Sequence, residues 1–225
     1  MKIEIWSDYA CPFCYIGKKR LERVLAKYAD KKISVEFKSF ELDPNASTEV
    51  ISSTPARFAK KYGLSLEQAE ERIEQISRMG RNEGIDFRYA TTRYTNTFDA
   101  LRLTKFAQEK GHDEIVQKLF EAYFTENLEL SDFEVLREIA LDCGLDEDEV
   151  DEVLESDRYA EDVRADERQA AWLEIHAVPY FVIGGKYSLF GAQPKEILEE
   201  AINDALTEEK FNGMACGVNG CHFDS

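Results

Sequence analysis

Two cysteines spaced two residues apart, in Cys11-Pro12-Phe13-Cys14, are the side chains of this sequence best suited to do chemistry. A thiolate is the nucleophile of sulfur exchange, and a second thiol close by can displace the first product by closing a disulfide. An alternating apolar run from Lys2 to Trp6 precedes the pair. A helical pattern follows it, with Cys14, Gly17, Leu21, Val24, Leu25 and Tyr28 at the inward positions. The pair is therefore predicted to open a helix directly after a buried strand. Pro12 suits the first helical position, where its fixed φ matches the turn and its missing N–H costs nothing. Cys11 then becomes the cap, with the amides of Phe13 and Cys14 aimed at its sulfur. Those donors and the positive helix end favour thiolate over thiol. On this reading Cys11 attacks and Cys14, one turn on, resolves. Half a zinc site and two cysteines that merely fill a core are the competing readings. Zinc pairs usually sit on turns with further ligands at fixed spacing, so the strand-to-helix context favours redox chemistry.

Three further cysteines are present. Cys143, before Gly144 and beside Ile139 and Ala140, reads as a small packed hydrophobe. Cys216 and Cys221 lie in a glycine-rich tail, where Asn219-Gly220 can turn and close a small disulfide ring. That pair could pass its disulfide to Cys11–Cys14 as an auxiliary redox shuttle. With His222 it could instead hold a metal, although no fourth ligand is evident, or it could be inert.

The elements that must position Cys11 and Cys14 follow from periodicity. Ile33 to Phe40 is a second strand, so strand, helix and strand make a parallel βαβ unit. Ile33, Val35 and Phe37 take one face, and Glu36 and Lys38 the other. That couple is either an ordinary polar face, the favoured reading, or a buried acid–lysine pair beneath the thiols. From about Ser47 to Ile175 the pattern is helical. Capping boxes at Ser65-Leu66-Glu67-Gln68 and Ser131-Asp132-Phe133-Glu134 start two of these helices; Gly80 is placed to end the first of them near Met79, and Gly111 to close another from Thr97 to Lys110. Ile115, Val116, Leu119, Phe120 and Tyr123 make another buried stripe. Pro179 to Ile183, Gly184-Gly185 and Lys186 to Phe190 read as a hairpin, with a last amphipathic helix behind Gln193-Pro194. The fold class is α/β (α+β): a small sheet carrying a large helical insert.

That order, with Cys-x-x-Cys on the first helix and Val178-Pro179 opening the hairpin, resembles the DsbA branch of the thioredoxin superfamily, and within it the FrnE-like proteins. The matching stretches are Trp6–Gly17, Phe40-Glu41-Leu42-Asp43-Pro44, Asn96-Thr97-Phe98-Asp99-Ala100, Val178–Pro194 and the Cys216/Cys221 spacing. The resemblance implies a thioredoxin fold in two parts, 1–46 and 176–208, around a helical insertion at 47–175, with a tail at 209–225. It implies thiol–disulfide exchange at Cys11 and Cys14, supported by Pro12, Phe13, Val178 and Pro179. It also implies a cis Val178–Pro179 peptide against Cys11; only X–Pro bonds adopt cis cheaply. Such a bond would present the Val178 backbone to a substrate peptide. The Pro-Phe dipeptide lacks the histidine of Pro-His members, so a weaker oxidant is expected. A neighbouring family, the kappa-class glutathione transferases and 2-hydroxychromene-2-carboxylate isomerases, carries a serine where Cys11 sits. Cys11 and Cys14 place the chain on the redox side.

With 28 Lys and Arg against 45 Asp and Glu, the net charge of −17 argues against nucleic-acid or anionic-membrane partners. No secretory signal opens the chain and no apolar run nears spanning length, so a cytoplasmic setting is expected. No cofactor or metal is called for. The expected partners are protein or small-molecule disulfides and thiols, glutathione among them. A glutathione-dependent isomerase or transferase and a redox-regulated chaperone module are the alternative functions.

Overall fold

The computed structural model describes residues 1–213, so the Cys216/Cys221 pair lies outside the described residues. A four-stranded sheet runs in the order β2-β1-β3-β4, from β1 (Lys2–Ser7), β2 (Ser34–Ser39), β3 (Tyr180–Ile183) and β4 (Tyr187–Phe190). The βαβ prediction holds: β1 and β2 are parallel, with Ile3 opposite Val35 and Trp6 opposite Lys38. β3 pairs antiparallel with both β1 and β4. The β3–β4 hairpin turns through Gly184, Gly185 and Lys186, with both glycines at positive φ, a conformation that a side chain would strain.

Period-two alternation gives β1 two different faces. Ile3 and Ile5 pack with Phe181 and Ile183 of β3 against Leu21 and Val24 of α1 (Pro12–Leu25), and Leu198 and Ile202 of α9 (Lys195–Gly213). On the opposite face Glu4 stands across from Glu36, a like-charge pairing relieved by Lys2 and Lys38. Lys38 lies 2.7 Å from Glu36 and 3.3 Å from Asp166, and Asp166 also pairs with Lys105. The Glu36–Lys38 couple is thus part of an ion-pair ladder under the helical block, reaching Asp166 rather than either thiol.

That block comprises α2 (Thr54–Tyr62), α3 (Leu66–Asn82), α4 (Phe98–Lys110), α5 (Ile115–Glu121), α6 (Phe133–Asp142), α7 (Glu147–Glu155) and α8 (Ala160–Trp172). Its core of Phe106, Phe120, Tyr123, Phe124, Leu136 and Val150 is continuous with Trp6, Cys14 and Tyr15. The helices and the thiol loop therefore share one apolar interior.

Two local expectations are corrected. The box at Ser65 forms as read, with Ser65 and Gln68 exchanging both bonds. At the second site, however, Asp132 rather than Ser131 caps α6, because its carboxylate reaches the Glu134 amide and Ser131 turns away to Thr48. Gly80 does not end α3, which continues to Asn82; a Cβ there would lie 2.6 Å from the Phe87 ring, so the glycine admits a packed aromatic.

Candidate active site

The chain leaves β1 at Ser7 and enters α1 at Pro12, so the end of one buried strand and the start of one helix fix the whole dithiol loop. Cys11 is the cap residue, in extended conformation at φ −90° and ψ 113°, and Pro12 takes the first helical turn. The Cys11 amide donates to the Asp8 carbonyl at 3.0 Å, and the Cys14 amide to the Cys11 carbonyl at 3.1 Å. The sulfur itself receives no capping bond from the helix amides, contrary to the sequence expectation. As a thiol it points across the loop instead, and its Sγ–H donates to the Val178 carbonyl at 3.5 Å.

Val178–Pro179 is cis. The bond opens β3, and Pro179 and Phe181 rest on α1 at Gly17; a Cβ on Gly17 would come within 3.2 Å of both side chains. Helix α1 thus lies directly against the proline segment, and Cys11 and Val178 meet from elements 167 positions apart. Phe13, between the cysteines, is half-buried and packs onto the core edge.

Cys11 and Cys14 are both free thiols, 4% and 2% exposed. Burial, followed by the hydrogen bond and charge of Cys11, pushes the Cys14 thiol well above its ordinary range. Contacts from the Asp8 main chain and the Ser7 hydroxyl oppose that rise. Cys14 is thereby held as a protonated inner thiol, as suits a resolving group that acts second. Cys143 lies elsewhere in the core, where burial and then Glu114 push its thiol up to about 11, in keeping with a packed and inert cysteine.

Sequence reasoning missed Asp8. Its carboxylate is almost fully buried and joins three segments: Oδ1 accepts from the Ala10 amide and the Thr97 hydroxyl, both at 2.9 Å, and Oδ2 accepts from the Leu42 amide at 2.6 Å. The loop before Cys11 is thereby tied to the exit of β2 and the head of α4. Burial pushes the Asp8 carboxyl up, against the pull of these three donors and of Lys61. A buried aspartate next to Cys-x-x-Cys was visible in the sequence, but its partners at 42 and 97 were not.

The DSBA-like thioredoxin domain matches residues 2–203. A probable DsbA oxidoreductase from Streptomyces coelicolor is 36% identical over all of both chains, with a TM-score of 0.88. A 2-hydroxychromene-2-carboxylate isomerase shares the fold at 16% identity, covering 94% of this chain and 99% of its own, with a TM-score of 0.68. The cytosolic disulfide reductase DsbM of Pseudomonas aeruginosa, solved with GSH, does so at 14% identity, 95% and 100% coverage and a TM-score of 0.61.

Proposed function

Because the chain belongs to the DSBA-like thioredoxin domain family, we propose that it is a FrnE-like thiol–disulfide oxidoreductase working through Cys11 and Cys14. One observation carries this reading: two free thiols at a strand-to-helix junction, the outer one within 3.5 Å of the carbonyl before a cis proline. The Cys11 sulfur, as thiolate, attacks a substrate disulfide. One substrate S–S bond breaks, a Cys11–substrate disulfide forms, and one substrate thiolate leaves with the electron pair and takes up a proton. Cys14 then loses its proton and attacks the Cys11 sulfur, closing Cys11–Cys14 and freeing the second substrate thiol. The substrate gains two electrons and two protons, and the protein dithiol loses them. Run backwards, the same steps oxidise a substrate dithiol or, with partial reversal, isomerise disulfides.

The Val178 carbonyl that holds the Cys11 thiol is also a backbone group that an extended substrate strand could pair with beside the sulfur. Glutathione is a reasonable small thiol partner, given the GSH bound to the DsbM relative, and a cytoplasmic setting suits that chemistry. The tail pair Cys216/Cys221 serves in this reading as a shuttle.

Replacing Cys11 with Ser should abolish reduction of a model protein disulfide. Replacing Cys14 with Ser should instead trap mixed disulfides on a non-reducing gel. Exchange surviving in Cys11→Ser would reject the proposal. A glutathione adduct turned over without any disulfide exchange would favour the isomerase reading.

A further inference from the structure

In a chain with 45 acidic residues, arginines should find carboxylates, and they nearly all do. Twelve of the thirteen arginines, all within the described residues, form an ion pair or a side-chain hydrogen bond; Arg57 forms neither. Its Nε is buried with no acceptor, and its guanidinium carbon lies over the Tyr94 ring, 3.8 Å from the centroid. A buried donor without a partner is costly, and native proteins rarely leave one unless something else completes it.

Arg57 lines a pocket of about 400 Å³ with Lys60, Tyr94, Ser47, Asp43 and Ile51. The volume lies within the range of small-ligand sites. Lys60, which is exposed, adds a second cation, and Ile51, 78% exposed, makes an apolar lip. Asp43 is the one carboxylate on the wall. It sits beside Tyr94, whose phenol burial and then Asp43 push up to about 12 against the pull of Arg57, and it makes no ion pair with the guanidinium. Thr95, next to Tyr94 and 1% exposed, also has a hydroxyl without a partner.

A short chain of bonded segments links the pocket to the dithiol loop. The Asp8 carboxylate bonds Leu42 and Thr97, the neighbours of Asp43 and Asn96, and the Asn96 amide in turn donates to the Ser47 carbonyl at 2.8 Å. A planar fork of donors over an aromatic ring is suited to bidentate carboxylate recognition.

We infer that the pocket beside Arg57 recognises a carboxylate carried close to the reacting sulfur of the substrate, so that acidic thiols and disulfides are the preferred class. This rests on the oxidoreductase reading for its purpose but not for its test. The full chain is titrated calorimetrically with three S-methylated cysteine peptides, which bind but cannot exchange. One is neutral, with Gln beside the cysteine and an amidated end; one carries Glu in place of that Gln; one has a free C-terminal carboxylate.

At least one acidic peptide should bind about tenfold more tightly than the neutral one. Which of the two does so identifies a side-chain or a terminal carboxylate as the source. The advantage should shrink with added salt in the unaltered protein. Arg57→Gln should remove it, and Arg57→Lys, the milder change should the first variant fold poorly, should keep only part. Equal affinities, no binding of either acidic peptide, or an advantage intact in Arg57→Gln would overturn the assignment. Failure of disulfide turnover alone would reject the oxidoreductase reading and leave this result standing.

Discussion

The Asp8 carboxylate holds three donors from three segments with no ion-pair partner. Truncation to Ala strands the Ala10 and Leu42 amides and the Thr97 hydroxyl, each worth roughly 1–3 kcal/mol when left buried and unpaired. Asp8→Ala should therefore lose at least about 3 kcal/mol in urea unfolding, and an unchanged midpoint would show that the loop stands without it. Asp8→Asn preserves shape and separates charge from geometry. Because burial raises the Asp8 pKa above its ordinary 3.8, its favourable contribution is complete below that value and is lost as pH rises through the folded-state pKa. The stability of Asp8→Asn relative to the unaltered protein should accordingly improve between pH 4 and pH 7. Denaturation curves for both proteins across that range test the sign, and a difference that stays flat would rule out a raised Asp8 pKa.

Elements meet around Glu83, just beyond the end of α3. Its carboxylate, 7% exposed, takes Arg20 at 2.8 Å and Arg23 at 3.0 Å from α1, and Lys195 at 3.2 Å from the start of α9. Burial alone would raise its pKa, but Arg20 and Lys195 outweigh that and hold the carboxyl below the ordinary 4.5. Stability from Glu83 is then present above pH 4.5 and is lost as pH falls through the lowered value. Glu83→Gln should cost roughly 2 kcal/mol at pH 7, discounted from a fully buried pair because Arg23 and Lys195 are partly exposed. In urea titrations the two proteins should converge towards pH 3; a constant gap would mean that the clamp is not electrostatic. This clamp shows what the sequence hides. The strands, the helix starting on Pro12, the Gly-Gly hairpin and the Ser65 cap were legible because their signals lie within a few residues. Asp8 with Leu42 and Thr97, Lys38 with Asp166, and Glu83 with α1 and α9 join positions tens of residues apart, and no local pattern announces them. The misreadings at Gly80 and Ser131 have the same origin: the Phe87 ring and the Thr48 carbonyl are tertiary partners.

For the molecule as a whole, the geometry sets a limit on where a tail pair could work. Cys11 follows the C-terminal end of β1, whereas α9 points the other way. Its Ala205 abuts Gly184, whose amide bonds Lys2 at the start of β1, and its Glu208 accepts from the Tyr187 hydroxyl at 2.7 Å. The six residues of β1 separate these poles by about 17–20 Å, and the last five residues of α9 add about 7 Å of helix. From Gly213, three residues to Cys216 reach at most about 11 Å, and eight residues to Cys221 about 28 Å only when fully stretched. By chain length alone Cys216 falls short of the Cys11 of its own chain, and Cys221 spans the distance only at nearly full extension. If the tail feeds the dithiol, exchange between molecules should therefore outrun exchange within one chain, which needs an almost straight tail. A Cys216→Ser/Cys221→Ser chain and a Cys11→Ser/Cys14→Ser chain, each slow alone under physiological reductant, should then restore turnover when mixed, with a rate rising with total protein concentration. Mixtures no faster than the sum of their parts, alongside a concentration-independent rate per chain in the unaltered protein, would instead assign the exchange to a single chain through Cys221.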